Sequence, residues 1–320
     1  MIICFSGTGN TRLCADLLSK ALGDQVHHLR ARDLRDPASF KTSDLPRDTK
    51  DMPESARDKV SDNKRVIWMF PVYSWGMPPV FERFMNEAQL NFSRDTLHYM
   101  VCTCGDDIGL TAKLWRKTMG KRGWQTAAAF SVQMPNTYVF MKGFDVDKPE
   151  VAQAKLNAAP TRVRHIAAAI DNHSRAVAEA LDNLGHTNET VDAGMIPVMP
   201  DDVVTGGFAW IKSHIIRPWF MRFAMSPKPF HATDACTGCG LCARSCPMAN
   251  ITMKPSASDS KRTEKPSAVG KSTSDLTSRG RVHPTWGPNC ALCTACYHVC
   301  PHHAVAYGTT TRSKGQKPLL

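Results

Sequence analysis

Short apolar runs alternate with amphipathic stretches over residues 1–184. Five mainly apolar runs predict β-strands at residues 2–5, 25–29, 65–70, 97–103 and 126–132. Apolar positions at helical spacing predict helices at 11–22, 54–60, 79–87, 110–121 and 149–184, with Pro160 as a potential break in the last. This order predicts an α/β fold, in which helices cover both faces of a doubly wound, five-stranded parallel sheet.

The pattern changes after this first predicted domain. Residues 185–227 are predicted as a bridging segment, in which aromatic and aliphatic residues are interleaved with Lys and Arg. Packing between domains explains such a composition, and a helix lying on a membrane surface is the alternative. Residues 228–320 are predicted as a small α+β domain. Within it, residues 254–281 are rich in Ser and Lys and nearly free of aromatics, which predicts a flexible surface insertion.

The charge of the chain first suggests nucleic acid as a partner. The formal charge is +11 and the isoelectric point about 9.1. However, no nucleic-acid-binding motif is recognised. Part of the excess positive charge lies in residues 254–281, which contain seven Lys or Arg residues and three Asp or Glu residues. We therefore expect no nucleic acid. The basic charge either steers an acidic redox partner or belongs to a solvated insertion.

Two short runs hold eight of the twelve cysteines. Each has the spacing C-x2-C-x2-C-x3-C-P, which is that of bacterial two-cluster ferredoxins, in which the fourth cysteine of each run ligates the other cluster. This predicts one 4Fe–4S cluster on Cys236, Cys239, Cys242 and Cys300. It predicts the other on Cys290, Cys293, Cys296 and Cys246. Structural zinc is the alternative, but it has no use for two such four-cysteine runs.

A phosphate-binding loop is predicted at residues 6–11, where the first strand meets the first helix. The segment reads Ser-Gly-Thr-Gly-Asn-Thr, and its hydroxyls and amides lie at the positive end of a helix dipole. The predicted phosphate ligands are Ser6, Thr8, Gly9, Asn10 and Thr11. A plain strand–helix turn, capped by Asn10 or Thr11, is the alternative.

Two further loops follow strands at the edge where an open α/β sheet binds ligands. After the third strand, the candidates are Pro71, Tyr73, Ser74, Trp75 and Gly76. After the fourth strand, they are Thr103, Cys104, Gly105 and Asp106. Cys102 and Cys104 are expected to point the same way, as buried apolar positions or as a redox-active pair.

The chain as a whole resembles the flavodoxin–ferredoxin fusion proteins sometimes called ferrodoxins. The resemblance rests on the loop at 6–11, on Pro-Val-Tyr-Ser-Trp-Gly-Met-Pro-Pro at 71–79, and on the order of the two cysteine runs. It implies a flavodoxin-like domain with FMN, whose phosphate the first loop holds and whose ring the other two loops flank. Trp75 and Tyr73 would then be candidates to stack on that ring. No aromatic follows Thr103, so one flavin face is expected either to be open or to be covered by Met77, the bridging segment or the cluster domain.

The predicted function is electron transfer between FMN and two 4Fe–4S clusters, linking a separate redox donor and acceptor. No catalytic residue is assigned. The alternative is an FMN-dependent oxidoreductase that reduces a small substrate with electrons fed through the clusters. Because no apolar run approaches the ~18 residues of a membrane span, no stable membrane insertion is expected. Cluster thiolates must stay reduced, so a cytoplasmic protein is expected.

Overall fold

The computed structural model describes residues 1–46, 65–93, 95–183, 199–255 and 282–320. The predicted helix at 54–60 and most of the predicted insertion at 254–281 lie outside these residues. No helix in the described ranges has both the length and the apolar character needed to cross a bilayer.

A five-stranded parallel sheet occupies the N-terminal part. Its strands are β1 (Ile2–Cys4), β2 (Val26–His28), β3 (Arg65–Pro71), β4 (Leu97–Cys104) and β5 (Thr126–Gln133). They are arranged in the order β2-β1-β3-β4-β5, and every pairing is parallel. This is the flavodoxin-like strand order of doubly wound α/β folds, so the predicted fold class is confirmed.

The helices of this part connect the strands and cover the sheet. They are α1 (Asn10–Leu22), α2 (Ala31–Arg35), α3 (Pro79–Glu87), α4 (Thr111–Lys121) and α5 (Pro149–Asn183). Two 3-10 turns follow α2, at Pro37–Ser39 and Thr42–Asp44. A segment at residues 209–223, here named the connecting helix, combines α6 (Ala209–Ile211), a π-helical turn (Lys212–Ile216) and α7 (Arg217–Phe223).

The sequence of β3 shows why the sheet is buried on both faces. Alternate side chains point to opposite faces, so Ile67 and Met69 join the core cluster that includes residues of α1 and α5. Trp68 and Phe70 point the other way and pack against Phe81 of α3, with ring centroids 6.3 and 4.9 Å apart. A strand covered on both faces must be apolar throughout, which explains the uninterrupted run.

Pro160 lies inside α5 and does not end it. The ring removes one backbone hydrogen bond, which usually kinks or breaks a helix. Here Val163, Ile166 and Ile170 follow the proline and are buried in the core cluster. This packing against the sheet stabilises the helix across the proline.

The cysteine-rich part is a small α+β unit. Its strands are β6 (Phe230–Ala232), β7 (Ile251–Pro255), β8 (Val282–Trp286) and β9 (Val305–Tyr307). β6 pairs with β9 and β7 with β8, both antiparallel. Two short helices, α8 (Leu241–Arg244) and α9 (Ala295–His298), lie within the two cysteine runs.

Backbone contacts divide the chain into two compact units. The first comprises Met1–Thr137, Asp147–Met225 and Leu320, and the second comprises Tyr138–Val146 and Ser226–Leu319. This division differs from the predicted boundaries in three respects. The bridging segment up to residue 225 groups with the sheet, Tyr138–Val146 groups with the cysteine-rich unit, and Leu320 groups with the sheet. Phe140 explains the second difference, because it stacks on Tyr307 at 4.5 Å and meets Phe230 edge-on at 4.9 Å.

Candidate functional site

The predicted phosphate loop lies between β1 and α1. Gly9 adopts the left-handed conformation, with φ of 98°, which glycine tolerates best, and α1 begins at the next residue. The Ser6 hydroxyl accepts a hydrogen bond from the Gly9 amide at 3.2 Å. The first amides of a helix have no partner within it, so this end of α1 presents donors to an anion.

Two polar side chains of this loop are held by neighbouring strand ends. The Asn10 amide donates to the Pro135 carbonyl at 2.9 Å, and the Thr11 hydroxyl lies 2.8 Å from that of Thr103. All three predicted loops thus lie at the carboxyl edge of the sheet. The main chain of Leu320 also lies here, and its amide donates to the Thr8 carbonyl at 3.3 Å.

The loop after β3 has an unusual backbone. Ser74 and Trp75 both have positive φ, 47° and 56°, which costs energy for residues with a side chain. The Tyr73 amide donates to the Gly76 carbonyl at 2.9 Å and closes the turn. The Ser74 hydroxyl oxygen is buried without a hydrogen-bond partner among the described residues. A buried hydroxyl of this kind requires a partner, and a polar ligand held by the loop would supply one.

The connecting helix clamps this loop. The buried Arg217 guanidinium donates to the carbonyls of Tyr73 at 2.6 Å and Met77 at 2.7 Å. The Ser213 hydroxyl donates to the Trp75 carbonyl at 3.3 Å. The Arg217 bonds lie on either side of the two positive-φ residues, so the connecting helix fixes the loop in its strained conformation. Sequence reasoning assigned Arg217 and Ser213 no role.

The same helix reaches the loop after β4. The Leu110 amide donates to the Ser213 hydroxyl at 2.9 Å, and the Lys212 ammonium pairs with Asp107 at 2.6 Å. That ammonium also lies 5.3 Å from the centre of the Trp75 ring. The bridging segment was one of three elements named as a possible cover for one flavin face. The connecting helix, which lies in that segment, contacts the loops after β3 and β4.

Gly105 and Asp106 lie beside a small polar network. A side chain at Gly105 would begin 1.7 Å from the Asn136 amide oxygen, so any larger residue would displace the Asn136 side chain from this network. Asn136 donates two hydrogen bonds to Asp147, at 3.0 and 3.1 Å, and Lys155 donates one at 2.7 Å. Burial opposes ionisation of Asp147, but these donors prevail and hold its pKa below the usual value.

Cys102 and Cys104 point to the same side of β4, as predicted. Their thiols face the carbonyls of Phe130 at 3.5 Å and Val132 at 4.0 Å. Burial raises the pKa of Cys104 to about 12 and that of Cys102 well above its usual value. Both are protonated near neutral pH, which favours their interpretation as buried apolar positions, because redox reactivity requires the thiolate.

The eight cysteines of the two runs surround two cavities. One cavity is lined by the first three cysteines of the first run and the last of the second: Cys236, Cys239, Cys242 and Cys300. The other is lined by Cys290, Cys293, Cys296 and Cys246. These are the two crossed sets predicted for ligation.

Main-chain amides donate toward the sulfurs of these cysteines. Asn250 donates to Cys246 at 3.3 Å, and Ala304 donates to Cys300 at 3.3 Å. The two donors follow the fourth cysteine of their runs at the same spacing, so the runs are locally equivalent. Amide donors of this kind stabilise the negative charge of cluster thiolates.

Burial opposes ionisation of several of these thiols. It raises the pKa of Cys242 and Cys290 to about 11 and that of Cys293 to about 12. A coordinating metal deprotonates a thiol outright, so bound iron would convert these cysteines to thiolates despite their raised pKa values. No three His, Cys, Asp or Glu side chains in the described ranges are grouped closely enough for a single metal ion. A cluster spreads its ligands more widely.

One family model matches the chain. It is the 4Fe-4S dicluster domain, and it matches residues 235–304. These residues include all eight clustered cysteines. No curated protein sequence matches the chain significantly.

Solved structures are similar to the N-terminal part. The flavodoxin, WrbA-like protein from Agrobacterium tumefaciens is 13% identical, covers 54% of this chain and 95% of its own, and has a TM-score of 0.30. The Trp repressor binding protein from Bacillus subtilis is 12% identical over 51% and 97%, with a TM-score of 0.27. Rubredoxin oxygen:oxidoreductase from Desulfovibrio gigas is 14% identical over 52% and 35%, with a TM-score of 0.24. Such scores indicate nothing about function, and the strand order alone assigns the fold.

Proposed function

We propose that this chain is an electron-transfer protein that passes electrons between FMN and two 4Fe–4S clusters. The observation that carries this proposal is the pair of cavities, each lined by four cysteines drawn from both runs. They occur in one chain with a flavodoxin-type sheet, whose strand-end loops contain the residues predicted to bind a phosphate and to flank a flavin ring. Clusters supply one-electron steps, and flavin exchanges one or two electrons.

In the cluster unit, crossed ligation would assign each of the eight cysteines to one of the two clusters. Cys236, Cys239, Cys242 and Cys300 would hold one cluster, and Cys290, Cys293, Cys296 and Cys246 the other. Because each set draws on both runs, the clusters would also tie the two runs together. All four positions of each set are cysteine, so no iron is left open for a substrate. This favours electron transfer over chemistry at iron.

In the sheet unit, the three loops would share the binding of FMN. The loop at 6–11 would hold the phosphate through its hydroxyls and the amides at the start of α1. The loop at 71–76 would flank the ring, and the buried Ser74 hydroxyl is suited to bond a polar atom of it. Arg217 would keep that loop in position. The Leu320 main chain, now bonded to Thr8, would have to leave room for the phosphate.

The redox partners would be separate proteins. The sequence contains no nicotinamide-binding fingerprint, so another protein must supply or accept electrons. The charge of +11 favours acidic partners. We place the protein in the cytoplasm, where cluster thiolates stay reduced. The alternative of a flavoenzyme with its own small substrate stays a prediction.

Cofactor content tests this proposal. The full chain would be purified anaerobically and its iron, acid-labile sulfide and flavin measured. We expect about eight irons, about eight sulfides and about one FMN per chain. About one metal ion per chain, or zinc in place of iron, would exclude the clusters. Full iron without flavin, even after incubation with FMN, would exclude the flavin half.

A further inference from the structure

The indole N–H of Trp286 is a buried hydrogen-bond donor that has no acceptor among the described residues. Trp286 is the last residue of β8, and its ring stacks on Phe230 with centroids 5.1 Å apart and planes 10° apart. Its Nε1 is buried and has no hydrogen-bond partner among the described residues. A buried N–H without a partner is costly, and native proteins rarely keep one without a reason.

The position of this indole suggests the reason. Trp286 lines the cavity of Cys246, Cys290, Cys293 and Cys296. Burial raises the pKa of the Cys296 thiol; the nearby indole opposes this shift, but its Nε1 does not reach hydrogen-bond geometry to the sulfur. The acceptors that a bound cluster brings into this cavity are thiolate and sulfide sulfurs. The Trp286 N–H, which is buried in the wall of this cavity, therefore lies where the sulfurs of a bound cluster could accept its hydrogen bond.

The other cavity has different side chains in the corresponding part of its wall. The paired strands β7 and β8 contribute to both cavities, and their cross-strand pair of Met253 and Pro284 lines the cavity of Cys236 and Cys300. Neither residue has a side-chain N–H, and His302, which also lines this cavity, is exposed to solvent rather than buried. Main-chain amides donate to cysteines of both sets, so the indole distinguishes one site from the other.

We propose that the Trp286 N–H donates a hydrogen bond to a sulfur of the cluster held by Cys246, Cys290, Cys293 and Cys296, and so raises the reduction potential of that cluster alone. The inference rests on the proposed function. Reduction adds one electron and one negative charge to a cluster. A hydrogen-bond donor stabilises the more negative form more strongly, which favours reduction.

The test is a potentiometric titration of the anaerobic holoprotein, followed by electron paramagnetic resonance. Dithionite supplies the electrons, and the wild type is compared with Trp286→Phe. Phenylalanine keeps the ring on Phe230 but removes the N–H. We expect one cluster to become about tenfold harder to reduce, a shift of about 59 mV for one electron. The other cluster is the internal control and should not shift.

A second measurement uses the wild type and does not depend on the variant's folding. Trp286 is the only tryptophan of the cysteine-rich unit. In protein grown with indole-¹⁵N tryptophan, pulsed electron paramagnetic resonance of the reduced clusters should detect a weak ¹⁵N coupling. An unshifted potential in cluster-loaded Trp286→Phe, or no coupling in the labelled wild type, would overturn the inference while leaving the proposed function intact. Wild-type protein that binds no cluster would overturn both.

Discussion

Replacing Arg217 with methionine should loosen the loop at 71–78 and weaken FMN binding. The Arg217 guanidinium makes two hydrogen bonds to loop carbonyls, at 2.6 and 2.7 Å, and its residue is only 8% exposed. Hydrogen bonds to a charged group contribute about 1.5–3 kcal/mol each. Burial also lowers the pKa of Arg217, which shows that keeping its charge in this site has a cost. After this offset, we expect a net loss of about 3 kcal/mol.

The loss should appear in one of two measurements. If the loop keeps its conformation without Arg217, the free energy of unfolding falls by about 3 kcal/mol, measured by urea titration. If the loop relaxes instead, FMN must reorder Ser74 and Trp75 as it binds. Its dissociation constant then rises by up to about a hundredfold, since 1.4 kcal/mol corresponds to tenfold. Flavin fluorescence measures this constant.

Arg222→Met is the matched control. Arg222 lies on the same connecting helix, but it is exposed and contacts only the Phe223 ring, at 5.4 Å, among the interactions described. Its replacement should change neither quantity by more than about 0.5 kcal/mol. Wild-type stability together with wild-type FMN affinity in Arg217→Met would refute the reasoning.

Three further predictions concern the clusters, a buried histidine and a buried ion pair. Cys246→Ser should alter the same cluster signal as Cys293→Ser, and a different one from Cys239→Ser, because crossed ligation groups residue 246 with the second run. Burial lowers the pKa of His98 to about 3, so unfolding takes up a proton below pH 6.5. Relative to His98→Asn, the wild type should therefore lose about 1.4 kcal/mol of stability per pH unit as the pH falls from about 6.5. Arg65→Met should cost about 3 kcal/mol, since it removes two guanidinium hydrogen bonds from the buried Asp24 carboxylate and leaves it only the N-terminal ammonium as a charged partner among the described residues.

Controls separate these effects from general damage. Asn replaces His98 because its side-chain oxygen still accepts from the Trp68 indole, 3.1 Å away in the wild type. A constant stability difference between the two proteins from pH 7 to 4 would contradict the assignment. The control for Arg65→Met is Arg175→Met. Arg175 is an exposed partner of Asp171, which Arg65 also contacts, and its replacement should cost about 0.5 kcal/mol or less. Equal costs for Arg65→Met and Arg175→Met would contradict the role of burial.

The sequence pattern predicted the five strands and helices α1, α3, α4 and α5, because local periodicity marks them, whereas the short helix α2 was not predicted. The apolar run at 65–70 predicted a strand, and β3 occupies it. The cysteine runs identified the cluster unit for a similar reason. Their spacing is that of two-cluster ferredoxins, which predicts the ligands of each cluster. The structure brings each predicted set of four cysteines together around one of two cavities.

The remaining features depend on contacts between residues distant in the chain. Arg217 lies 140 residues from Met77, and nothing in an aromatic, basic segment indicates which cation turns inward. Residues 138–146 follow β5 and read as part of the sheet domain, yet Phe140 packs with Phe230 and Tyr307. The Trp286 donor is likewise recognisable only once its surroundings are known.

Direct observation of electron exchange tests the central claim most directly. The anaerobic holoprotein would receive less than one electron per chain from a fast one-electron reductant, and flavin and cluster absorbance would be followed over time. The account predicts that electrons redistribute between FMN and the clusters at a rate independent of protein concentration. A rate proportional to protein concentration, or no redistribution between the two kinds of cofactor, would contradict it.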